Sequence, residues 1–136
     1  MRLIAVTDEA RHALGGKAEV HFSRVPFRVG RENRSMTSRL VATVERRLRG
    51  TVPVNDLFLF ELSQPGRVHI SREHFEIARV GATLVVVDRK SACGTTVGES
   101  LLRDSGPHEV VLNDGDVITL GSSRSPYRYQ FRLSDA

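Results

Sequence analysis

The chain has little of what marks secreted or membrane proteins. It contains one cysteine, Cys93, and a single cysteine cannot close a disulfide within the chain, which favours a reducing compartment. No apolar run approaches the roughly 18 residues that a membrane-spanning helix needs. The first residues carry Asp8 and Glu9 after a short apolar run, and this is not the pattern of a signal peptide. The sequence therefore predicts a cytoplasmic protein with no membrane partner.

Sequence motifs of common enzyme classes are also missing. The chain has no Gly-x-Gly-x-x-Gly, no phosphate-loop Gly-Lys-Ser/Thr, no His-Glu-x-x-His and no Gly-x-Ser-x-Gly. Its five histidines show no ligand spacing with cysteines or carboxylates, so we expect no metal and no cofactor. Ser71 and His74 lie three residues apart at a loop-to-strand junction without an orienting acid, a poor arrangement for a nucleophile and its base. We expect no catalytic residue.

Lysine and aromatic residues are scarce. Of the 20 basic residues, only Lys17 and Lys90 are lysine. The 20 basic residues and 16 acidic residues together give a net charge of +4. Arginine favours bidentate contacts with phosphate or carboxylate, so the excess indicates either an anionic partner or solvated surface arginines. Aromatic residues make up only 6% of the chain and are not interleaved with a basic stripe. Nucleic acid is therefore not an expected partner.

The chain has the length of one domain, residues 1–136. Its composition is that of an ordinary globular protein, with 40% hydrophobic and 26% charged residues. Short apolar or β-branched runs separated by turn residues predict strands. These runs are residues 3–7, 19–22, 25–29, 57–62, 74–80, 83–88, 109–112, 117–120 and 127–133. Many short strands with close turns are typical of an antiparallel β-sandwich or barrel, so we expect an all-β fold.

One segment departs from this pattern. The apolar residues Met36, Leu40, Val41, Val44 and Leu48 recur at helical spacing and gather on one face. The pattern predicts an amphipathic helix over about residues 36–49, and Gly50 and Pro53 follow it as stop signals.

Four motifs occur in a fixed order along about 100 residues of the chain. Gly-Arg at 30–31 ends one predicted strand, and Ser-Arg-Glu-His at 71–74 opens another. Ser-Ala-Cys-Gly-Thr at 91–95 follows, and Gly-Asp-Val-Ile-Thr-Leu-Gly at 115–121 closes the series. This order resembles the forkhead-associated (FHA) domain family, which shows Gly-Arg, Ser-Arg-x-His, Ser-x-Asn-Gly-Thr and Gly-Asp-x-Ile-x-Leu-Gly.

The resemblance implies a β-sandwich of about eleven strands whose loops at one end bind a phosphothreonine-containing peptide. It gives the phosphate contacts to Arg31 and Ser71, with Arg72 as a third. A hydroxyl and two guanidinium groups in facing loops are suitable donors for a phosphate dianion. Within the family, the histidine that His74 matches braces the loop bearing the serine. The positions expected to support the loops are Gly30, His74, Gly94 and Thr95.

Cys93 stands where the family has a peptide-clamping asparagine, and Ala92 precedes it where a hydroxyl often assists the phosphate. A thiol is a weaker donor and acceptor than an amide, so we expect Cys93 in the peptide site with a weaker contact to the peptide backbone. The alternative interpretation is that Cys93 is a small buried residue that fills a gap.

The spacing also departs from the family, because Arg31 and Ser71 are 40 positions apart, which is farther than the corresponding residues of the family. An insertion at about residues 33–54, which carries the predicted helix, accounts for the extra length. The helix can pack its apolar face on the sandwich edge, or it can contact the peptide through Arg39, Arg46 or Arg49.

Two functions follow from the resemblance. The first is a non-catalytic phosphothreonine-peptide binding module in Ser/Thr kinase-dependent signalling. The alternative is a phosphate-independent protein–protein interaction domain on the same fold.

Overall fold

The computed structural model describes residues 1–32, 55–61 and 68–133. The predicted helix at 36–49 lies outside these residues. The strands within them are β1 (Arg2–Ala5), β2 (Glu19–His21), β3 (Phe27–Arg31), β4 (Leu57–Leu59), β5 (Phe75–Val80), β6 (Thr83–Asp88), β7 (Thr95–Val97), β8 (Ser100–Leu102), β9 (Glu109–Val111), β10 (Val117–Leu120) and β11 (Arg128–Arg132). One short helix, α1 (Asp8–Ala13), follows β1.

The strands form two sheets. One has six strands in the order β2-β1-β11-β10-β7-β8, and the other has five in the order β4-β3-β5-β6-β9. The pairings are antiparallel except for β3 with β4, which run parallel. The β5–β6 hairpin turns at Gly81, whose positive φ of 61° suits the tight connection predicted there.

Alternation of side chains along the strands creates the core between the sheets. Each sheet turns large apolar side chains inward, and together these residues exclude water from the centre. The fully buried ones include Leu3, Ile118, Leu120, Tyr129 and Phe131 from the first sheet and Val29, Leu59, Phe75, Ile77 and Val86 from the second. The predicted all-β sandwich is confirmed.

The N-terminal region contains a helix that the sequence pattern did not predict. The first strand ends at Ala5, two residues before the predicted end, because Thr7 caps α1. Its hydroxyl accepts from the Ala10 amide at 3.0 Å, and Asp8 and Glu9 lie in the first turn, where the helix dipole favours acids. No helix among the described residues is long and apolar enough to cross a membrane.

Two strands also escaped the sequence patterns. β7 and β8 have three residues each and form a tight pair in which Thr96 faces Leu101. Three residues are too few to establish an alternating pattern, and β7 is buried along its whole length. With these two strands, the number among the described residues reaches the eleven that the resemblance implied.

Candidate functional site

Backbone hydrogen bonds bring the first two motifs together at one end of the sandwich. The Arg31 amide, at the end of β3, donates to the Ser71 carbonyl at 2.9 Å. The His74 amide donates to the Val29 carbonyl at 3.0 Å. The segment that precedes β5 therefore continues alongside the end of β3, and the distant residues Arg31 and Ser71 become neighbours.

His74 joins this segment to the loop between β6 and β7. The ring is fully buried; its Nδ1 accepts from the Ser71 amide at 3.0 Å, and its Nε2 lies 2.8 Å from the Gly94 carbonyl oxygen. Because Nδ1 must accept, the proton of the neutral ring lies on Nε2 and is donated to Gly94. Burial lowers the pKa of His74 from 6.5 to about 4 against the opposing effect of the Gly94 bond, so the ring is neutral at pH 7.

The Ser71 hydroxyl is oriented by the same loop. Its Oγ accepts from the Ala92 amide at 2.9 Å, and the side chain is half-buried. An oxygen that accepts a backbone bond keeps its own hydrogen for donation to a ligand. The His74 ring accepts from the Ser71 amide, and the ring therefore braces the segment that carries Ser71.

Gly30 allows the end of β3 to approach the Ser71 segment closely. A Cβ at this position would lie 2.0 Å from the Arg72 carbonyl oxygen and 2.6 Å from Nδ2 of Asn55. That amide nitrogen donates to the Arg72 carbonyl at 2.7 Å, and Oδ1 of the same side chain accepts from Arg89 at 2.7 Å. Packing therefore requires the glycine of the Gly-Arg motif, since any side chain at position 30 would displace the backbone of Arg72.

Asp88 shapes the loop that leads from β6 to β7. Its buried carboxylate accepts from the Ser91 amide at 3.2 Å, from the Ser91 hydroxyl at 2.5 Å and from the Thr95 hydroxyl at 2.7 Å. Gly94 has a φ of 81°, and a Cβ there would lie 2.7 Å from the Leu102 carbonyl oxygen. Thr95 and Gly94 thus hold the loop that presents Ala92 and Cys93.

Cys93 lies on the surface of this loop. The thiol is exposed, and Sγ donates to the Val68 carbonyl at 3.3 Å. The interpretation of Cys93 as a buried gap-filling residue is therefore wrong. Cys93, Ala92 and Gly94 each form a hydrogen bond that ties this loop to the segment 68–74.

A comparison with protein-family models identifies the family. The model of the FHA domain matches residues 27–121, which include all four sequence motifs. The chain belongs to the FHA domain family.

Solved structures share this FHA fold. Mycobacterium tuberculosis EmbR, solved in complex with a low affinity phosphopeptide, is 21% identical with a TM-score of 0.58; the match covers 99% of this chain and 24% of EmbR. The FHA domain of the CT664 protein from Chlamydia trachomatis is 18% identical with a TM-score of 0.57, covering 99% of this chain and 97% of that one.

A third structure comes from a structural and functional analysis of phosphothreonine-dependent FHA domain interactions. It is 21% identical to this chain with a TM-score of 0.50, and the match covers 99% of this chain and 97% of that one. No curated protein sequence matches the chain. This chain spans about a quarter of EmbR, and at these identities the likeness shows the fold.

All eight residues that the sequence suggested for the FHA site lie at this end of the sandwich. Arg31 is half-buried at the end of β3, and Arg72 is exposed on the segment that faces it. Ser71 and His74 lie on that same segment, and Gly30 packs beneath it. Cys93, Gly94 and Thr95 lie on the β6–β7 loop. Hydrogen bonds join the segment that carries Ser71 and His74 to the β6–β7 loop.

The sequence interpretation missed three buried polar residues of this FHA domain. Asn55 supports Arg72, and Asp88 organises the loop to Thr95. Glu61 accepts from the backbone amides of His69 at 2.8 Å and Ile70 at 2.9 Å. Asp88 could have been found as an acid at a strand end three residues before a serine, which is typical of a side-chain-capped turn. Asn55 and Glu61 had no such local signal.

Proposed function

We propose that this FHA domain is a non-catalytic module that binds phosphothreonine-containing peptides. In this proposal Arg31 and Ser71 contact the phosphate, Arg72 supplies a third donor, and Cys93 lies against the peptide backbone. The observation that carries the proposal is the Ser71 hydroxyl, which accepts from the Ala92 amide at 2.9 Å and so keeps its own hydrogen for donation to a ligand.

The chemistry of the site suits a phosphate dianion. Such an anion needs several charge-assisted donors whose positions are set before it binds. Ser71 has its position set by three bonds, through its amide, its carbonyl and its hydroxyl. The Ser71 hydroxyl is therefore ordered before a ligand binds, which lowers the ordering cost of that contact.

The family supports this proposal. EmbR, which shares the fold, was solved with a low affinity phosphopeptide, and another FHA structure belongs to a study of phosphothreonine-dependent interactions. A catalytic role for Ser71 and His74 finds no support in the geometry, because Nδ1 of the ring is already engaged by the Ser71 amide.

A partner of this kind is produced by a Ser/Thr kinase, so we place the module in kinase-dependent signalling in the cytoplasm. An exposed free thiol at Cys93 is suited to that reducing compartment. The proposed module is one domain over residues 1–136 with an insertion at about 33–54, and neither nucleic acid nor membrane is proposed as a partner.

One observation favours a second candidate, a phosphate-independent protein–protein interaction domain. Cys93 replaces the amide side chain that the family uses on the peptide, and its thiol donates to the protein's own Val68 carbonyl. A site without that clamp could bind its partner through other contacts alone.

The deciding experiment compares three degenerate peptide libraries centred on phosphothreonine, phosphoserine and unmodified threonine. The proposal predicts binding to the phosphothreonine library and much weaker binding to the other two. Equal binding to phosphorylated and unmodified peptides would instead establish the phosphate-independent domain. A salt titration with a DNA duplex tests nucleic acid separately, since binding to a phosphate backbone weakens steeply with salt.

A further inference from the structure

A chain of polar contacts supports the segment that carries Ser71 and Arg72. Nη1 of Arg89 donates to Oδ1 of Asn55 at 2.7 Å, and Nη2 donates to the Glu73 carboxylate at 2.9 Å. Nδ2 of Asn55 in turn donates to the Arg72 carbonyl at 2.7 Å. Arg89, Asn55 and Glu73 are called the Asn55 network below. It joins the start of the β6–β7 loop to the backbone of a proposed phosphate donor.

Asn55 is the fixed centre of this network. It is 1% exposed, and its amide oxygen accepts from Arg89 while its amide nitrogen donates to the Arg72 carbonyl. These two bonds determine which way the amide faces, because exchange of its oxygen and nitrogen would set donor against donor and acceptor against acceptor. Arg89 therefore orients the amide group that holds the Arg72 backbone.

The Arg89 guanidinium lies where a cation loses much of its hydration. Its side chain is 14% exposed, and burial lowers its pKa while the charge of Glu73 opposes that effect. Arginine stays charged in proteins, so the bonds to Asn55 and Glu73 must offset the loss of hydration. A buried ion pair adds little to stability by comparison with apolar packing, so stability alone does not account for a cation at this position.

The Asn55 network supports Arg72 where strand pairing does not. Residues 71–74 precede β5, and the pairing of β5 with β3 begins at Phe75. The Arg72 side chain is exposed, and an arginine side chain loses much rotamer freedom when a ligand holds it. A backbone that is already fixed by Asn55 lowers the part of the ordering cost that belongs to the main chain.

We propose that Arg89 and Asn55 are positioning residues for phosphate recognition, which act on the ligand through Arg72. This inference rests on the proposed function. Neither residue lies in the four sequence motifs. A residue that acts through Arg72 should matter only while the Arg72 side chain is present, and a double-mutant cycle measures that dependence.

The test measures the affinity of the full chain for one phosphothreonine peptide, taken from the library selection, by calorimetric titration. Arg89→Gln removes the guanidinium that orients Asn55, and Asn55→Ala removes the bond to Arg72 itself. Each substitution is made in the parent protein and together with Arg72→Ala. Arg79→Gln is the matched control, because it removes one exposed positive charge from β5. Melting curves show whether each variant is folded, and either folded variant completes the cycle.

We expect Arg89→Gln and Asn55→Ala to weaken binding by about three- to tenfold in the parent protein, the range for loss of one hydrogen bond. In the Arg72→Ala background the same substitutions should weaken it by less than about twofold. Arg79→Gln should change affinity little in either background.

Equal losses in the two backgrounds would overturn this inference, since Arg89 and Asn55 would then act on the ligand directly, through charge or through general stability. Parent-like affinity in the folded variants, or in Arg72→Ala, would overturn it as well. Each of these results leaves phosphothreonine binding itself intact. A parent protein that is indifferent to phosphorylation overturns both this inference and the proposed function.

Discussion

The ring of His74 and the carbonyl of Gly94 are joined by a buried hydrogen bond of 2.8 Å across 20 residues of sequence. The Gly94 carbonyl also accepts from the Gly121 amide at 2.9 Å. One buried contact therefore connects three of the four FHA motifs, since His74, Gly94 and Gly121 belong to successive ones. These motif residues form one structural unit that holds the loops in position. Ser71 is held by this unit through its hydrogen bond to His74.

Replacement of His74 should cost both stability and binding. His74→Ala removes the partner of the Ser71 amide and leaves a buried cavity, so we expect the free energy of unfolding to fall by about 2–4 kcal/mol. Phosphopeptide affinity should fall with it, because Ser71 loses its brace. Urea unfolding and calorimetric titration measure the two effects. His108→Ala, at an exposed histidine, is the control and should change neither. A stable His74→Ala variant that binds normally would contradict the bracing role.

The stability of the protein should depend on pH through the same ring. The folded-state pKa of His74 is lowered by burial to about 4, below the 6.5 of an exposed histidine. Between these values the unfolded chain binds more protons, so stability is complete above pH 6.5 and is lost as pH falls toward 4. From pH 7.5 to pH 5 the loss should be about 2 kcal/mol. The difference in unfolding free energy between the parent and His74→Gln isolates this effect, and a difference that does not vary with pH would contradict it.

Arg31 should be required for phosphate recognition. A charge-assisted hydrogen bond is worth about 1.5–3 kcal/mol, so Arg31→Ala should weaken binding of a phosphothreonine peptide at least about tenfold. The matched control is Arg24→Ala, which removes an exposed arginine before the opposite end of β3. Calorimetric titration gives the affinities, and a melting curve confirms that both variants are folded. An equal effect of the two substitutions would indicate that only net charge matters.

Gly30 should tolerate no side chain. Gly30→Ala places a Cβ 2.0 Å from the Arg72 carbonyl oxygen, and relief of that clash must move the segment that carries Ser71. We expect a loss of about 3 kcal/mol or more in unfolding free energy together with weaker phosphopeptide binding. Gly81→Ala is the comparison, since Gly81 has open space around it and its positive φ alone should cost about 1 kcal/mol. Similar losses for the two variants would mean that the close approach has no energetic weight.

Cys93 offers a test of the missing asparagine. Because the thiol is exposed, Cys93→Asn should change the melting temperature little. The new amide can donate to and accept from a peptide backbone, so phosphopeptide affinity should rise by several-fold. Cys93→Ser keeps the approximate size of cysteine but lacks the reach of the asparagine amide, so it should not show this gain. Unchanged affinity in Cys93→Asn would show that the peptide does not contact position 93.

The local sequence predicted much of this fold. The alternation of apolar residues located nine of the eleven strands among the described residues, and the β5–β6 turn was evident from Gly81. The FHA motifs supplied the residues that are proposed for the site, from Gly30 to Thr95. The predicted helix at 36–49 lies outside the described residues and stays a prediction.

The sequence by itself determined where strands form and which residues are the proposed donors for phosphate, because both depend on residue type and short-range spacing. Only the tertiary structure decided how those donors are held. Asn55 contacts Arg72 across 17 residues, Glu61 contacts Ile70 across nine, and Cys93 contacts Val68 across 25. Such contacts leave no periodic trace in the sequence, since they arise only when the two sheets pack and bring separate loops to the same end of the sandwich.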